Sequence, residues 1–454
     1  MRAKENAVAD APLPTPQQPP TAPGVHRSSF WSLRPASDRQ AGDAVVSNFL
    51  LHAFAAKSCK RSLDVRYSLW LGTISAALLL LLTVSGLPLM FLHVPSVERA
   101  YASVKDIEYV ITFGSWIRAV HRLSAHAMVI AVVLHLMRVF LTGAYKNGIG
   151  QGQRREWNWL VGVAMLLVTL FLSFTGYLLP WDQLAYWAIT VGTNIASSVP
   201  VVGAKIRELL LGGRVIDQPT LIRFYALHVV ALPGLLLLLF AYHMWRIRKD
   251  GGLAVVDLEA TTAAHPVTEP TKTYTLLGVA RGTSPKIVAT SIEAEDTTVN
   301  SVPDLSRRIA IAVLGTFAII SILAVFIASP LEEPANALVT PNPAKAPWYF
   351  LWLQEVVTDT TIKLGAFTVN GALIGGVLLP GLLVVLLSVW PWLDRSAKTS
   401  TGVWFAADRR RQNLVFLLLV ALVLALTIVG TFLRGPYWHF FWPWQAWPEI
   451  PGRI

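Results

Sequence analysis

Residues 118–138 read RAVHRLSAHAMVIAVVLHLMR. The run is apolar and of spanning length, yet it carries His121 and His135 inside it. Fourteen residues at about 100° each return to within about 40° of the starting direction, so both imidazoles fall near one helix face. At about 1.5 Å per residue they stand about 21 Å apart along the axis, most of a hydrocarbon core about 30 Å thick. Neutral imidazole is a good iron ligand, and an ionisable residue inside a membrane helix is a functional hypothesis by default. Taken alone, the helix equally suits two histidines hydrogen-bonded to neighbouring helices.

The rest of the chain supplies the context. It has 454 residues, 54% hydrophobic and 14% charged. Soluble domains carry about 25% charged residues, so the composition is that of a polytopic membrane protein. The net charge of +11 fits Lys and Arg gathered in loops on one side of a membrane. No basic patch is interleaved with stacking aromatics, so a nucleic-acid partner is not expected. The single cysteine, Cys59, excludes a disulfide framework, a four-thiolate cluster and a Cys-x-x-Cys-His haem attachment within the chain.

Seven segments are long and apolar enough to span: about 68–92, 119–143, 157–179, 222–246, 308–329, 370–392 and 412–433. The expected fold is therefore an all-α membrane protein with seven transmembrane helices. Basic residues collect before the first span (Lys57, Lys60, Arg61, Arg66), between the second and third (Lys146, Arg154, Arg155) and after the fourth (Arg246, Arg248, Lys249). The same bias precedes the fifth span and fills the loop between the sixth and seventh. It predicts a cytoplasmic N-terminus and an outer C-terminus. The Trp-rich ending, with Trp438, Trp442, Trp444 and Trp447, reads as an interfacial aromatic belt, and His439 within it as an interfacial residue.

Four divisions follow. Residues 1–47, with APLPTPQQPPTAPG, read as a disordered cytoplasmic extension. Residues 48–249 hold four spans, entered by an amphipathic interfacial helix over 48–66 in which His52 and Cys59 are packing residues. Residues 250–306 read as a polar, Thr-rich cytoplasmic linker; His265 there has no visible partner. Residues 307–454 form a three-helix half.

The fourth span repeats the pattern of the second, with His228 and His243 fifteen apart. That spacing leaves them within about 60° of one face and about 22 Å apart. The two spans run in the same direction, so His121 and His228 share one level and His135 and His243 the other. Four imidazoles at two depths can hold two six-coordinate haems. The first span has Gly72 and Gly86, and the third Gly162 and Gly176, each pair fourteen apart. A porphyrin edge against a helix needs a position without a side chain; close helix packing is the alternative use of such glycines. Arg118 and Arg138, three residues outside the histidines, are placed to bind haem propionates, or else to snorkel. His126 lies about 140° from the His121 face and reads as a packing residue.

These motifs resemble the cytochrome b subunit of quinol–cytochrome c oxidoreductases, the bc and bf complexes. The matching text is IRAVHRLSAHAMVIAVVLHLMRVFLTG, FTGYLLPWDQLAYWAITVGTN and TLIRFYALH. The match is close over about 66–249 and looser over 303–433. The fifteen-residue spacing and the PWDQ form resemble the bf branch, where the two halves are usually separate chains; here they look fused. The resemblance implies a four-helix dihaem bundle plus a three-helix half, with two non-covalent b-type haems. His121 and His228 would ligate the outer haem, His135 and His243 the inner one. It further implies quinol oxidation coupled to proton translocation, a Rieske iron–sulfur protein and a c-type cytochrome as partners, and a homodimeric complex in a bacterial-type inner membrane. Menaquinone is a candidate quinone. A non-redox transporter is excluded once b-type haem bands appear in the spectrum. A dihaem membrane anchor serving a dehydrogenase is the competing reading, but it would lack the second half with Trp348 and Tyr349.

Two departures from the family pattern matter. Trp70 stands where the bf branch carries the cysteine of a covalent third haem, so such a haem is not expected. The Pro-Glu-Trp-Tyr motif of quinol oxidation is here Ala346-Pro347-Trp348-Tyr349. If 347–358 is helical, Glu355 comes within about 20° of the Trp348 face and about 10 Å along. It is the expected replacement acid, with Asp182 and Asp359 as competitors.

Overall fold

The computed structural model describes residues 57–148, 152–250, 252–254, 298–365 and 367–448. Seven helices in it are long and apolar enough to cross a membrane: Leu71–Leu92, Gly114–Leu141, Arg155–Tyr177, Gln218–Lys249, Ser301–Phe326, Gly371–Leu393 and Ala407–Leu433. All seven expected spans are present. The expectations for 1–47, His52, His265 and most of 250–306 lie outside the described residues.

Local chemistry sets where the spans begin and end. Leu69 and Trp70 both take positive φ (50° and 52°), which turns the chain sharply into the first span. Upstream, the expected helix over 48–66 is not formed where the chain is described. Lys57–Cys59 is a short strand paired antiparallel with Thr298–Asn300, and helical turns follow at Lys60–Leu63 and Val65–Ser68. Asp64 caps the second turn by accepting from the Arg66 backbone N–H, which restarts the chain there and breaks a continuous helix. Strand pairing across some 240 residues lies beyond any local pattern.

The second span starts at Gly114, where a Cβ would collide with the Ile107 carbonyl, and it ends before Gly143, whose φ of +63° stops the helix. Between the spans on that starting side lie shorter helices, Ala100–Tyr109, Gln183–Ser197 and Gly203–Leu211, and later Trp348–Asp359.

The fourth and sixth spans each contain a π turn, at Leu227–Ala231 and Ile374–Leu378. Each lies just before a Leu-Pro-Gly triplet, 232–234 and 379–381. Proline has no N–H to offer the preceding turn, and the wider π turn accommodates the lost bond.

The main apolar core joins the first, second and third spans to the fifth through Leu78, Val120, Met128, Val168, Ile320 and Ala324. A second core, around Leu178, Trp181, Ile189 and Leu221, packs the short helices beneath the third and fourth spans. A third, around Phe140, Trp159 and Phe416, joins the opposite end of the second and third spans to the seventh.

Candidate haem and quinol sites

His121 and His228 meet across the bundle with ring centres 6.3 Å apart and planes at 78°. Two imidazole–metal bonds of about 2 Å each, with each ring nitrogen about 1.1 Å from its ring centre, require centres about 6 Å apart. The tautomers fit as well. His228 Nδ1 lies 3.1 Å from the Leu172 carbonyl, which only accepts, so Nδ1 carries the proton and Nε2 keeps its lone pair. His121 Nδ1 lies 3.0 Å from Ser85 Oγ, whose own hydrogen goes to the Leu81 carbonyl at 2.7 Å. Nδ1 therefore donates there too. Outer hydrogen bonds that fix the ring and free Nε2 are the usual support of a metal-bound histidine.

The π turn at Leu227–Ala231 explains the fifteen-residue spacing. A π turn absorbs one extra residue, so His228 and His243 regain the register of His121 and His135. His135 and His243 lie within electrostatic reach of each other, and Nδ1 of His243 is buried without a partner.

Three of the four glycines face histidines. A Cβ at Gly86 would lie 3.1 Å from His121 Cε1 and one at Gly72 3.3 Å from His135 Cε1; at Gly176 it would collide with His228. The shared fourteen-residue repeat thus lets imidazoles of one helix lie on the bare backbone of the next. Gly162 has nothing within 4 Å of its Cβ position.

The two arginines differ. Arg138 is buried with Nη2 unpartnered, and its guanidinium lies 4.5 Å over the Tyr67 ring. That orphaned donor suits a propionate. Arg118 is partly engaged within the protein. Nη1 binds Glu108 at 2.6 Å and the Ser329 carbonyl at 2.8 Å, and Nη2 binds the Pro330 carbonyl at 2.8 Å. Three of its five N–H groups are engaged in this way, two of them tying the second span to the segment after the fifth.

The helix Trp348–Asp359 carries the other candidate site, with Pro347 as its N-cap. Trp348 Nε1–H donates to His126 Nδ1 at 3.0 Å, and the Tyr349 ring centre lies 6.1 Å from that of His126. His126 is therefore no mere packing residue. Its direction, away from the His121 face, aims it at this helix, and a polar residue in an apolar span was the signal for a partner. Arg122, one turn before it, is within electrostatic reach of Tyr349, Tyr177 and Asp182.

Glu355 is fully buried, as its place on the helix suggested, but it is not free. Arg434 Nε lies 3.0–3.1 Å from both carboxylate oxygens and Nη2 2.8 Å from one. The partner comes from beyond the seventh span, so the helix pattern gave no hint of it. Asp359 is exposed, 3.4 Å from the same guanidinium. Asp182 caps the helix Gln183–Ser197 by accepting from Ala185 N at 2.9 Å and also accepts from Glu332 N at 3.3 Å. Burial pushes its carboxyl above the ordinary range, against those two hydrogen bonds.

A seven-span bundle with paired histidines at two depths is the architecture of membrane cytochromes. The family described as Cytochrome b/b6/petB matches residues 56–251, and Cytochrome b(C-terminal)/b6/petD matches 334–443. Cytochrome b6 of Synechococcus elongatus is 41% identical over 181 residues, covering 40% of this chain and 81% of that protein. Cytochrome b6 of Prochlorococcus marinus is likewise 41% identical, covering 40% and 80%. A solved structure titled "Hyperthermophilic respiratory Complex III" matches with a TM-score of 0.62 and 26% identity, over 83% of this chain and 86% of that one. The chain belongs to the cytochrome b/b6 family, with the N-terminal and C-terminal family regions fused in one polypeptide. It is the cytochrome b core of a quinol oxidoreductase, a multi-pass membrane protein whose family implies haem cofactors.

Proposed function

We propose that this chain is the dihaem core of a Rieske-type quinol–cytochrome c oxidoreductase. Residues 48–249 hold both haems, residues 307–454 complete the quinol site, and 250–306 joins them on the cytoplasmic side. The observation that carries the reading is the His121–His228 pair, with ring centres 6.3 Å apart and both Nδ1 atoms engaged. His121 and His228 would hold the haem at the outer level, and His135 and His243 the haem at the inner level. Two non-covalent b-type haems, when bound, supply a path for electrons across the membrane.

The remaining roles belong to the chain's own residues. Gly86, Gly176 and Gly72 give the rings room. Arg138 would hold a haem propionate with its unpartnered donor. Trp348 and Tyr349 wall the outer quinol site, and Glu355 is its acid. Its carboxylate already accepts from Arg434 Nε and Nη2, so the acid of the site and this arginine act as one unit. One electron from quinol leaves through a Rieske protein toward a c-type cytochrome, and the other serves quinone reduction at an inner site. Protons leave outside and are taken up inside, in a bacterial-type inner membrane with the N-terminus cytoplasmic. The complex is a homodimer.

The test is a quinol-reduced spectrum of the purified complex with its subunit composition. Two b-type signals and a co-purifying Rieske protein are expected. Absence of the Rieske protein would favour a dihaem anchor instead. Within that experiment, His135→Leu is expected to remove the inner haem and spare quinol reduction of the outer one. Two normal haem signals in that variant would sink the ligand assignment.

A further inference from the structure

Nothing in the reading above uses His126, a polar side chain in the apolar second span. Indole N–H only donates, so the 3.0 Å bond from Trp348 Nε1 occupies the lone pair of His126 Nδ1. In the neutral ring the proton is then confined to Nε2. Among the described residues no group hydrogen-bonds Nε2. The ring is only half-buried, and Trp348 is 37% exposed, so a molecule arriving through the lipid reaches the pair. Tyr349 lies against one side of the imidazole and Arg122 within electrostatic reach. His126 also stands five residues along the helix from His121, about 7.5 Å below that level.

We propose that His126 is a quinol-binding residue, held by Trp348 as an Nε2–H donor to a ring oxygen of the quinol or quinone headgroup. The inference rests on the outer quinol site proposed above and adds a ligand to it. Trp348 is then a positioning residue: it acts on the headgroup through the tautomer it imposes. Accepting a proton at Nδ1 would set two donors against each other, so His126 binds the headgroup and does not serve as its base. A fixed hydrogen-bond donor also orients a headgroup that apolar walls leave free to rotate.

The test uses the whole complex with a short-chain benzoquinol and a short-chain naphthoquinol, reading KM, kcat and the haem spectra. His126→Leu removes the donor and is expected to raise KM about tenfold for both, with both haem signals intact. His126→Gln keeps an N–H and is expected to stay within about threefold of the parent. Trp348→Phe frees the tautomer and is expected to raise KM by an intermediate factor. An unchanged KM in His126→Leu, a Gln variant as impaired as the Leu variant, or loss of a haem signal in both His126 variants would each overturn the proposal. Failure of the parent complex to oxidise either quinol would instead strike the underlying quinol-site reading, and so is told apart.

Discussion

At the scale of single residues, the buried pair Glu355–Arg434 decides the most. Removing one partner of a buried ion pair strands the other, at a cost of about 3 kcal/mol or more. Arg434→Gln is therefore expected to lower the unfolding temperature of the detergent-solubilised protein markedly. Glu355→Gln is expected to slow quinol oxidation at least about tenfold with both haems retained. Turnover and pH profile unchanged in that variant would move the role to Asp182 or to water. His93 is a separate case, just past the end of the first span. Its Nδ1 lies 3.2 Å from Ser103 Oγ, Nε2 is buried without a partner, and burial pushes the imidazole down to about 4. The folded value lies below the unfolded one of 6.5, so the native state resists protonation. The stability it permits is complete above 6.5 and is lost as pH falls toward 4. His93→Phe is expected to flatten the fall in unfolding temperature between pH 6.5 and 4.5; an equal slope in both proteins would assign the acid sensitivity elsewhere.

At the scale of elements, glycines and π turns set the register of the histidines. Gly176→Val drives a side chain into His228, and the expected result is loss of the outer haem signal alone. Gly162 offers a sharper probe, because no protein atom lies within 4 Å of its Cβ position. If Gly162→Leu costs the inner haem, the clash is with the cofactor itself and not with a neighbouring helix. A full pair of haem signals in that variant would show that the third span does not approach the inner haem at 162. The π turn before Pro233 matters in the same way. It turns a spacing of fifteen residues into a matched pair of levels, a result that uniform helical geometry places about 20° worse than the first pair.

At the scale of the whole molecule, the two halves are fastened at both ends of the bundle. On one end Arg118 reaches the carbonyls of Ser329 and Pro330, and Asp182 takes the Glu332 N–H. On the other, Arg409 is fully buried and binds the carbonyls of Phe140 and Leu141 at the end of the second span, where Gly143 leaves it room. Beside it, Tyr145 donates to Asp394 at 2.6 Å, and Lys146 binds the Ser396 carbonyl at 2.6 Å. Fastening of this kind does not depend on the covalent link. A chain cut within 255–297 is expected to purify as two associated pieces with both haems; separation of the pieces would show that the linker holds them together.

The sequence by itself determined the seven spans, the two histidine levels and the family. Those features are written in local periodicity, because apolar length, loop charge and helical spacing act within one segment at a time. The tertiary structure alone decided what each polar group meets. Gly72, Gly86 and Gly176, paired by spacing, lie against histidine rings, while Gly162 meets no protein atom. Arg118 binds Glu108 and the carbonyls of Ser329 and Pro330 in the other half. Glu355 is claimed by Arg434, and His126 by Trp348, 222 residues away. The physical reason is that a charge or donor in an apolar interior must find a partner, and the partner is whichever helix packing brings near, not whichever residue is close in the chain.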